Sequence, residues 1–474
     1  MFIFARGAVL ADETHSLIGL IGASYRGPAE IVRQTPSGFN IFWGDKEGAY
    51  SSLDYDSGTG EVSLKSDISG QLALRYAFVD GRLYVASHDI LLAPFVPFEV
   101  DQASMDHLKR FGWSVGGYSL IKGITVCSAG ETVKITDRVE RAKAVYPAAD
   151  PSPQETVIHY LAERLPNGEV VVEMSAGFDS RAALAATLAS KPAHLIRAFS
   201  EGPADSQDVS VAREICRLAG ISFERRQTTK RNVDDILSDW TGFAVRGNGH
   251  VEVNILPSQR ESNETTVCGD GGEIFRDYFT PYQPFANTRS LSAPAPEHVL
   301  GKKFGASDRL KSRLEEISRP GDSNATVLNR FYLTDRFGVW NQKLAREGQR
   351  RVSPFYARDA MGDLSEARQN RLHLDLISTH LPVAFNVPIN GEAAPALYSG
   401  AILSNVRLDT GIFLAKVKRR LVKRQDLQAA RNDAMKEAMD AMPEAFLHGT
   451  ASTWAERGAQ RFLQAYKEAS QAPS

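Results

Sequence analysis

One twenty-residue stretch constrains the fold of this chain more than any other. It reads VVVEMSAGFDSRAALAATLA and runs from Val170 to Ala189. The valines are typical of a buried strand, the small and acidic residues that follow favour a turn, and the alanine-rich run favours a helix. A strand that leads through a tight turn into a helix predicts a parallel sheet with helices on its faces.

The patterns on either side of this stretch predict two domains in a chain of 474 residues. The segments GFNIFWG, EVSLKSD, QLALRYAFV, GRLYVASHD and ETVKITDRVE predict a mostly antiparallel sheet before residue 148, and DQASMDHLKRFGW predicts a helix capped by Asp101. The proline-rich segment AVYPAADPSPQET then indicates a boundary. We therefore predict domains at 1–148 and 149–474.

Strands and helices alternate in the second domain. EVVVEM, AHLIRAFS and TTVCGDGGE are the predicted strands, and SRAALAATLA and SQDVSVAREICRLAG are predicted helices. From Pro320 onward the sequence predicts mainly helices. The fold class expected is thus an α+β sheet domain followed by an α/β domain.

Composition excludes several partners. Fifty-five basic side chains nearly balance fifty-seven acidic ones, so neither nucleic acid nor an anionic membrane is expected as a partner. Three separated cysteines, without metal-ligand spacing, are interpreted as small buried residues of a reducing compartment. No apolar run is long enough to span a membrane, and acidic residues interrupt any signal-peptide pattern, so we expect a cytoplasmic protein.

The turn SAGFDS has the residues that phosphate binding requires. Free backbone N–H groups at a helix start attract phosphate, Gly177 permits close approach, and the hydroxyls of Ser175 and Ser180 can donate hydrogen bonds. A carboxylate beside phosphate, here Asp179, is best explained by a Mg²⁺ ion between them. The turn lacks the lysine of a P-loop and the GxSxG pattern of a hydrolase. The alternative to phosphate binding is that these small residues merely permit a tight turn between strand and helix.

A second turn of the same kind follows the predicted strand TTVC. It reads GDGGE, and we expect it to face the first turn across a nucleotide, with Asp179 and Glu273 sharing the metal. A glycine-rich surface loop is the alternative. The residues predicted to bind nucleotide are Ser175, Ala176, Gly177, Asp179, Ser180, Gly269, Asp270, Gly271 and Gly272.

These motifs together resemble the asparagine synthetase family. SAGFDS is similar to the family's SGGxDS pyrophosphate loop, GDGGE to its downstream glycine-acid motif, and RRVSPF to its arginine-valine-proline-phenylalanine stretch. The amino-terminal half resembles the family's glutamine-hydrolysing domain, in segments such as SDISGQLALRYAFVDGRLYVASHDILL. The resemblance implies an N-terminal-nucleophile-type sheet domain, then a synthetase domain of the adenine-nucleotide α-hydrolase type that uses ATP and Mg²⁺.

Two departures from the family pattern carry information. Glutamine hydrolysis in the family needs a cysteine directly after the initiator methionine, but this chain has Phe2 there and its first cysteine is Cys127. A phenyl ring cannot form a thioester, so the glutaminase domain is expected to be inactive. The second motif has the single acid Glu273 where the family has aspartate then glutamate, and Arg276 and Asp277 where it has glycines.

The predicted catalytic residues are Tyr332, Glu347 and Lys416. Tyr332 and Glu347, together with Asp335, lie before RRVSPF and could orient or deprotonate an amine. Lys416 begins the basic run KVKRRLVKRQ. The alternative interpretation of this run is a solvated helix face. Arg181, in place of a small residue, is expected to pair with an acid or to bind an anionic substrate group.

The resemblance implies a ligase that adenylates a carboxylate, releases pyrophosphate and couples the acyl group to an amine without glutamine. Relatives lacking the cysteine include lasso-peptide cyclases and β-lactam synthetases, so intramolecular closure of a small molecule or a peptide is the first expectation. The partners expected are then a carboxylate and amine substrate, with a precursor peptide and its protease as further candidates. An intermolecular ligase for a polysaccharide or metabolite, and a non-catalytic nucleotide-binding or interaction protein, remain alternatives. A serine hydrolase has no support, since the sequence gives no reason to pair any of the ten histidines with Ser175.

Overall fold

The structure is a computed structural model. It describes residues 3–7, 30–35, 37–44, 49–143, 152–226, 242, 244–245, 247–250, 264–276, 278–279, 295–305, 307–339, 351–357, 360, 371–387 and 454–471. The predicted boundary near residue 148 lies outside these ranges, as do Phe2, Glu347 and Lys416. Among the described helices, none has both the length and the apolar character needed to cross a membrane.

The amino-terminal part consists of two antiparallel sheets. Their strands are β1 Ile3–Gly7, β2 Glu30–Thr35, β3 Gly38–Gly44, β4 Tyr50–Asp56, β5 Val62–Ser66, β6 Arg75–Val79, β7 Arg82–Ala86, β8 Thr125–Val126, β9 Glu131–Ile135 and β10 Val139–Lys143. The strand orders are β1-β7-β6-β8 and β10-β9-β5-β4-β3-β2. The predicted antiparallel character is confirmed, although ETVKITDRVE contributes to two strands, β9 and β10, rather than one.

A shared apolar core joins the two sheets. Leu53 and Leu64 from the six-stranded sheet pack in one cluster with Leu83 and Val85 from the four-stranded sheet. All four side chains are buried, and each contributes about 1.5–3 kcal/mol relative to an exposed position. The alternation of apolar and polar residues in these strands therefore produces a two-layer packing.

Two helices cover the other face of the four-stranded sheet. Helix α1, Gln102–Phe111, is capped by Asp101, which accepts a hydrogen bond from the Ser104 N–H at 2.7 Å, as the sequence predicts. The last described helix, Trp454–Gln471, returns from the far end of the chain to this face. Its Phe462 and Tyr466 are fully buried there, and the Tyr466 hydroxyl donates to the Val96 carbonyl at 3.2 Å.

A five-stranded parallel sheet forms the centre of the second part. Its strands are β11 Val170–Glu173, β12 Ile196–Glu201, β13 Ser222–Arg226, β14 Thr266–Val267 and β15 Arg351–Val352, in the order β13-β12-β11-β14-β15. All neighbouring pairs are parallel. The predicted strands β11, β12 and β14 are confirmed. β13 was not predicted, and β15 interrupts the region after Pro320 that was predicted as mainly helical.

Helices flank this sheet as predicted. They are α2 Pro153–Arg164, α3 Phe178–Ser190, α4 Gln207–Ala219, α5 Pro296–Phe304, α6 Asp308–Ile317, α7 Asn324–Phe331 and α8 Arg371–His380, and the helix Trp454–Gln471 is α9. A π-helical segment, Tyr332–Phe337, continues α7. α3 is buried along most of its length between α2 and α8, because its alanines let neighbouring helices approach closely.

The strand order places a topological switch point between β11 and β14. The chain leaves β11 for β12 on one side, and later returns to β14 on the other side. Loops that follow the two strands therefore diverge, and they leave a crevice at the carboxyl edge of the sheet. Ligands of open α/β sheets bind at such crevices.

A buried hydrogen bond and a close backbone approach connect the two parts of the chain. The Asp335 carboxylate accepts a hydrogen bond from the Gly116 N–H at 2.5 Å. A Cβ atom added to Gly338 would lie 1.8 Å from the Ser69 carbonyl oxygen, so no larger residue fits there without a backbone shift. The π-helical segment thus packs directly on loops of the amino-terminal sheets.

Candidate functional site

The two predicted glycine-acid turns meet at the switch-point crevice. SAGFDS follows β11 and GDGGE follows the parallel neighbour β14. A Cβ atom on Gly269 would lie 2.8 Å from the Asp179 carbonyl carbon, and one on Gly272 would lie 2.5 Å from Asp179 Oδ1. These glycines are needed because the second turn packs directly on Asp179.

The first turn is closed by its own hydrogen bonds. The hydroxyls of Ser175 and Ser180 lie 3.1 Å apart, and the Ser175 hydroxyl accepts from the Gly177 N–H at 3.1 Å. The Ala176 N–H donates to the Asp208 carboxylate of α4 at 2.7 Å, so one loop amide already binds an anionic group. α3 begins directly after Gly177 without a side-chain cap. Its first N–H groups and its dipole favour a bound anion.

The predicted metal ligands, Asp179 and Glu273, lie on either side of one guanidinium group. Arg276 Nη2 is 2.6 Å from Asp179 Oδ2 and 3.7 Å from Glu273 Oε1. Burial and then the Asp179 carboxylate raise the pKa of Glu273 to about 7, and Arg276 opposes this shift. The turn is therefore rich in negative charge, and a cation shared by the two carboxylates stabilises it.

The chemistry of this pair fits a magnesium ion. Mg²⁺ takes oxygen ligands, commonly one or two carboxylates with substrate phosphates and water. Asp179 and Glu273 are two such carboxylates within reach of one cation. No group of three or more His, Cys, Asp or Glu side chains within the described ranges is arranged to hold a metal by itself. The protein would thus supply two ligands and leave the others to substrate and solvent.

His373 is a site residue that the sequence analysis missed. Its Nε2 lies 2.9 Å from Asp179 Oδ1, and its ring is fully buried between Phe178, at a centroid distance of 5.3 Å, and Phe355, at 4.9 Å. A carboxylate only accepts hydrogen bonds, so the imidazole donates. One sequence signal could have indicated that His373 is buried: it lies on the same apolar face of α8 as Leu376 and Ile377.

Tyr332 lies beside the acidic pair, and its catalytic role stays a prediction. Its ring packs on Tyr278 at 4.4 Å. Burial raises the pKa of the Tyr332 phenol well above its usual value, and the Glu273 carboxylate adds to the rise. The phenol is therefore neutral at physiological pH and can donate a hydrogen bond or orient a substrate, but it cannot act as a phenolate base.

Asp335 is a structural acid rather than a candidate base. It is fully buried, and its carboxylate accepts hydrogen bonds from Arg313 Nε at 3.0 Å and from the Gly116 N–H. These partners hold it between the π-helical segment, α6 and the amino-terminal part. The candidates Glu347 and Lys416 lie outside the described residues, so their roles stay predictions.

Asp270 anchors the second turn to β15 through Arg351. Arg351 Nε donates to Asp270 Oδ2 at 2.8 Å, and Arg351 Nη1 lies 2.9 Å from Glu173 Oε2. The hydroxyl of Ser353 donates to the Asp270 carbonyl at 2.5 Å. One arginine thus ties the ends of β11, β14 and β15 together. These contacts give Asp270 a positioning role, and its predicted nucleotide contact stays a prediction.

Arg181 makes different contacts from those expected. Its Nη1 donates to the carbonyls of Ala384 and Val387, each at 2.8 Å, and its side chain is almost completely buried. Burial lowers the pKa of Arg181 to about 10. Backbone carbonyls after α8 thus hold this guanidinium, and the expected acidic partner or anionic substrate group stays a prediction.

The cysteines are buried, as predicted. All three are free thiols, and burial raises the pKa of Cys216 to about 12 and those of Cys127 and Cys268 further. Among the described residues, no imidazole bonds to the Ser175 hydroxyl, which bonds instead to Ser180 and Gly177.

Comparison with known proteins gives distant structural likeness and no sequence match. No protein-family model matches the chain, and no curated protein matches its sequence. Among solved structures, it is similar to glutamine phosphoribosylpyrophosphate amidotransferase from B. subtilis complexed with ADP and GMP, at 13% identity and a TM-score of 0.14. The match covers 59% of this chain and 61% of that chain. It is a weak resemblance to an amidotransferase fold and assigns neither a family nor an activity.

Proposed function

We propose that this protein is an ATP- and Mg²⁺-dependent ligase of the asparagine synthetase type. It adenylates a carboxylate, releases pyrophosphate, and couples the acyl group to an amine without hydrolysing glutamine. The observation that carries this proposal is the meeting of SAGFDS, at the start of α3, with the acidic turn GDGGE at the switch point of a parallel sheet. The proposed family carries its chemistry on the same pair of motifs.

The start of α3 supports the binding of pyrophosphate. Its N–H groups lack a side-chain cap, and the hydroxyls of Ser175 and Ser180 lie at the mouth of the helix. Asp179 and Glu273 would hold Mg²⁺ at the adjacent turn. When bound, the ion offsets phosphate charge and so lowers the energy of the departing pyrophosphate. The two serines and the two carboxylates would thus all act on pyrophosphate, which is the part of ATP that leaves first.

ATP is a substrate in this reaction. A carboxylate oxygen of the acyl substrate bonds to the α-phosphorus while the bond to pyrophosphate breaks. The amine nitrogen then bonds to the acyl carbon, AMP leaves with the electrons of the acyl–oxygen bond, and the amine loses a proton to a base. Tyr332, neutral and next to Glu273, is positioned to orient one of these substrates.

The state of Cys127 supports a function independent of glutamine. It is the only cysteine before residue 148 and is completely buried. Burial raises the pKa of its thiol far above neutral pH, so it does not form the thiolate that a glutaminase requires. The proposed ligase therefore takes its amine from a source other than glutamine. An amine tethered to the acyl substrate gains effective molarity, which favours intramolecular lactam or macrolactam closure.

A non-catalytic nucleotide-binding protein is the second candidate. The observation in its favour is that both oxygens of Asp179 already have partners in the protein, Arg276 and His373. A site whose central carboxylate is neutralised internally can bind a nucleotide without performing chemistry on it.

Nucleotide turnover tests the proposal. The purified full-length protein is incubated with ATP, Mg²⁺ and individual carboxylates that carry an amine, including linear peptides with an acidic side chain. We expect AMP and pyrophosphate with one of them, without glutamine. The variant Asp179→Asn should lose this activity, whereas Asp205→Asn, an exposed acid near α4, should retain it. Nucleotide binding without AMP from any carboxylate would favour the second candidate.

A further inference from the structure

Arg276 occupies the position that a metal shared by the two carboxylates would take. It follows the short helical turn Gly272–Phe275, and its Nη2 atom contacts Asp179 Oδ2 at 2.6 Å and lies 3.7 Å from Glu273 Oε1. The guanidinium is 29% exposed, so it borders solvent. A long side chain at the edge of a crevice can leave its position at little packing cost.

The Asp179 carboxylate, in contrast, is fixed. His373 holds Oδ1 from a fully buried position, and Gly272 packs against the same oxygen. Rotation of the carboxylate away from Arg276 would break the bond to His373 and bring the group against the second turn. Of the two partners in the Asp179–Arg276 pair, the arginine lies nearer to solvent and is therefore the one that a bound cation would displace.

We infer that Arg276 is a resident counter-ion that competes with the divalent cation for Asp179 and Glu273. This inference rests on the proposed function. The guanidinium and a metal bridging the same two carboxylates would be adjacent like charges, which repel strongly in a partly buried site. Metal binding therefore requires Arg276 to leave, and nucleotide phosphates give the released guanidinium a new acceptor.

A binding order follows from this competition. The metal alone binds weakly, because it must displace Arg276 into solvent. Nucleotide strengthens metal binding, because its phosphates pair with the displaced arginine. The two ligands are thus coupled through one side chain, and removal of that side chain weakens the coupling.

Binding of Mn²⁺, measured from the electron paramagnetic resonance signal of the free ion, tests this inference without turnover. The full-length wild type, Arg276→Gln and Arg276→Lys are titrated with Mn²⁺ alone and with a non-hydrolysable ATP analogue. Arg276→Gln should bind Mn²⁺ alone roughly 5- to 150-fold more tightly than the wild type, the usual range of coupling between two ligands. Arg276→Lys keeps the charge and should bind like the wild type.

The control variant is Arg217→Gln on α4. Like Arg276, Arg217 pairs with a glutamate three residues earlier, but that pair is exposed and distant from the crevice. It should leave Mn²⁺ affinity unchanged. Melting temperatures of all variants show whether each is folded. Equal or weaker Mn²⁺ binding by folded Arg276→Gln would overturn the inference.

The outcomes separate this inference from the proposed function. Unchanged Mn²⁺ affinity in Arg276→Gln, together with AMP formation by the wild type, would refute the counter-ion and leave the ligase. Tighter Mn²⁺ binding by Arg276→Gln, with no AMP from any carboxylate, would support the counter-ion and refute the ligase.

Discussion

His373 Nε2 donates a hydrogen bond to Asp179 Oδ1 at 2.9 Å across 194 positions of sequence. The imidazole is fully buried between two phenylalanine rings, and its bond fixes the direction of the carboxylate. Partners that orient a ligand or catalytic carboxylate are often as important as the carboxylate itself. His373 is therefore a positioning residue of the candidate site.

Replacement of His373 by phenylalanine tests this role. His373→Phe keeps an aromatic ring between Phe178 and Phe355 but removes the donor. We expect Mn²⁺ affinity in the presence of an ATP analogue to fall about 10- to 100-fold, with melting temperature nearly unchanged. His159→Phe, at a site where the side chain is 75% exposed, serves as the control. Wild-type affinity in folded His373→Phe would show that the bond does not position Asp179.

Gly272 gives a steric test of the contact between the two turns. A methyl group at this position would lie 2.5 Å from Asp179 Oδ1, so Gly272→Ala must displace the carboxylate or the turn. We expect AMP formation to fall at least tenfold, because displacements of about 1 Å at a reacting site cost up to 10²-fold. The matched variant is Gly168→Ala, whose added methyl group meets no atom within 4 Å. Equal activities of the two variants would contradict the contact.

Asp335 should matter for stability rather than chemistry. Asp335→Asn removes the charge that compensates the buried Arg313, and breaking a buried pair costs about 3–5 kcal/mol. We expect a large decrease in the urea midpoint of unfolding. Asp375→Asn removes an ion-pair partner that is 52% exposed, and it should change stability by less than about 1 kcal/mol. If folded Asp335→Asn lost AMP formation while its urea midpoint stayed at the wild-type value, a catalytic role would be indicated instead.

His107 predicts a pH dependence of stability. Burial, with the nearby Arg309 and Arg110, lowers the pKa of His107 to about 4 from an ordinary value of 6.5. Between these values the unfolded chain binds the proton and the folded chain does not, so stability falls as pH decreases from 6.5 to 4. His107→Gln should flatten this decrease in urea unfolding measured at several pH values. A slope identical to that of the wild type would contradict the shift.

The strand, turn and helix around SAGFDS could be predicted because every signal lies within twenty residues of sequence. The adjacency of SAGFDS and GDGGE was also accessible, since both turns follow buried strands of one predicted sheet. Those patterns are local, and parallel strands bring their carboxyl ends to one edge. The fold of this edge is thus largely encoded in short-range periodicity.

The partners of Asp179 could not be found in the same way. In the sequence, Arg276 stands out only because the asparagine synthetase family has a glycine at that position. His373 is one of ten histidines and belongs to no distinguishing motif. Their roles depend on tertiary packing of α8 and the second turn against α3. Likewise, β15 has only two residues, too few for a period, and its pairing with β14 arises from the sheet rather than from propensity.

The position of α9 has a consequence for the order of events during synthesis. α1 ends at Phe111, whereas the helix that covers the outer face of the four-stranded sheet begins only at Trp454, so it is synthesised much later. Until then the surface that will receive Phe462 and Tyr466 is apolar and uncovered, so the nascent chain is prone to associate with other chains or to recruit chaperones. The packing of the four-stranded sheet is therefore complete only after α9 has been translated.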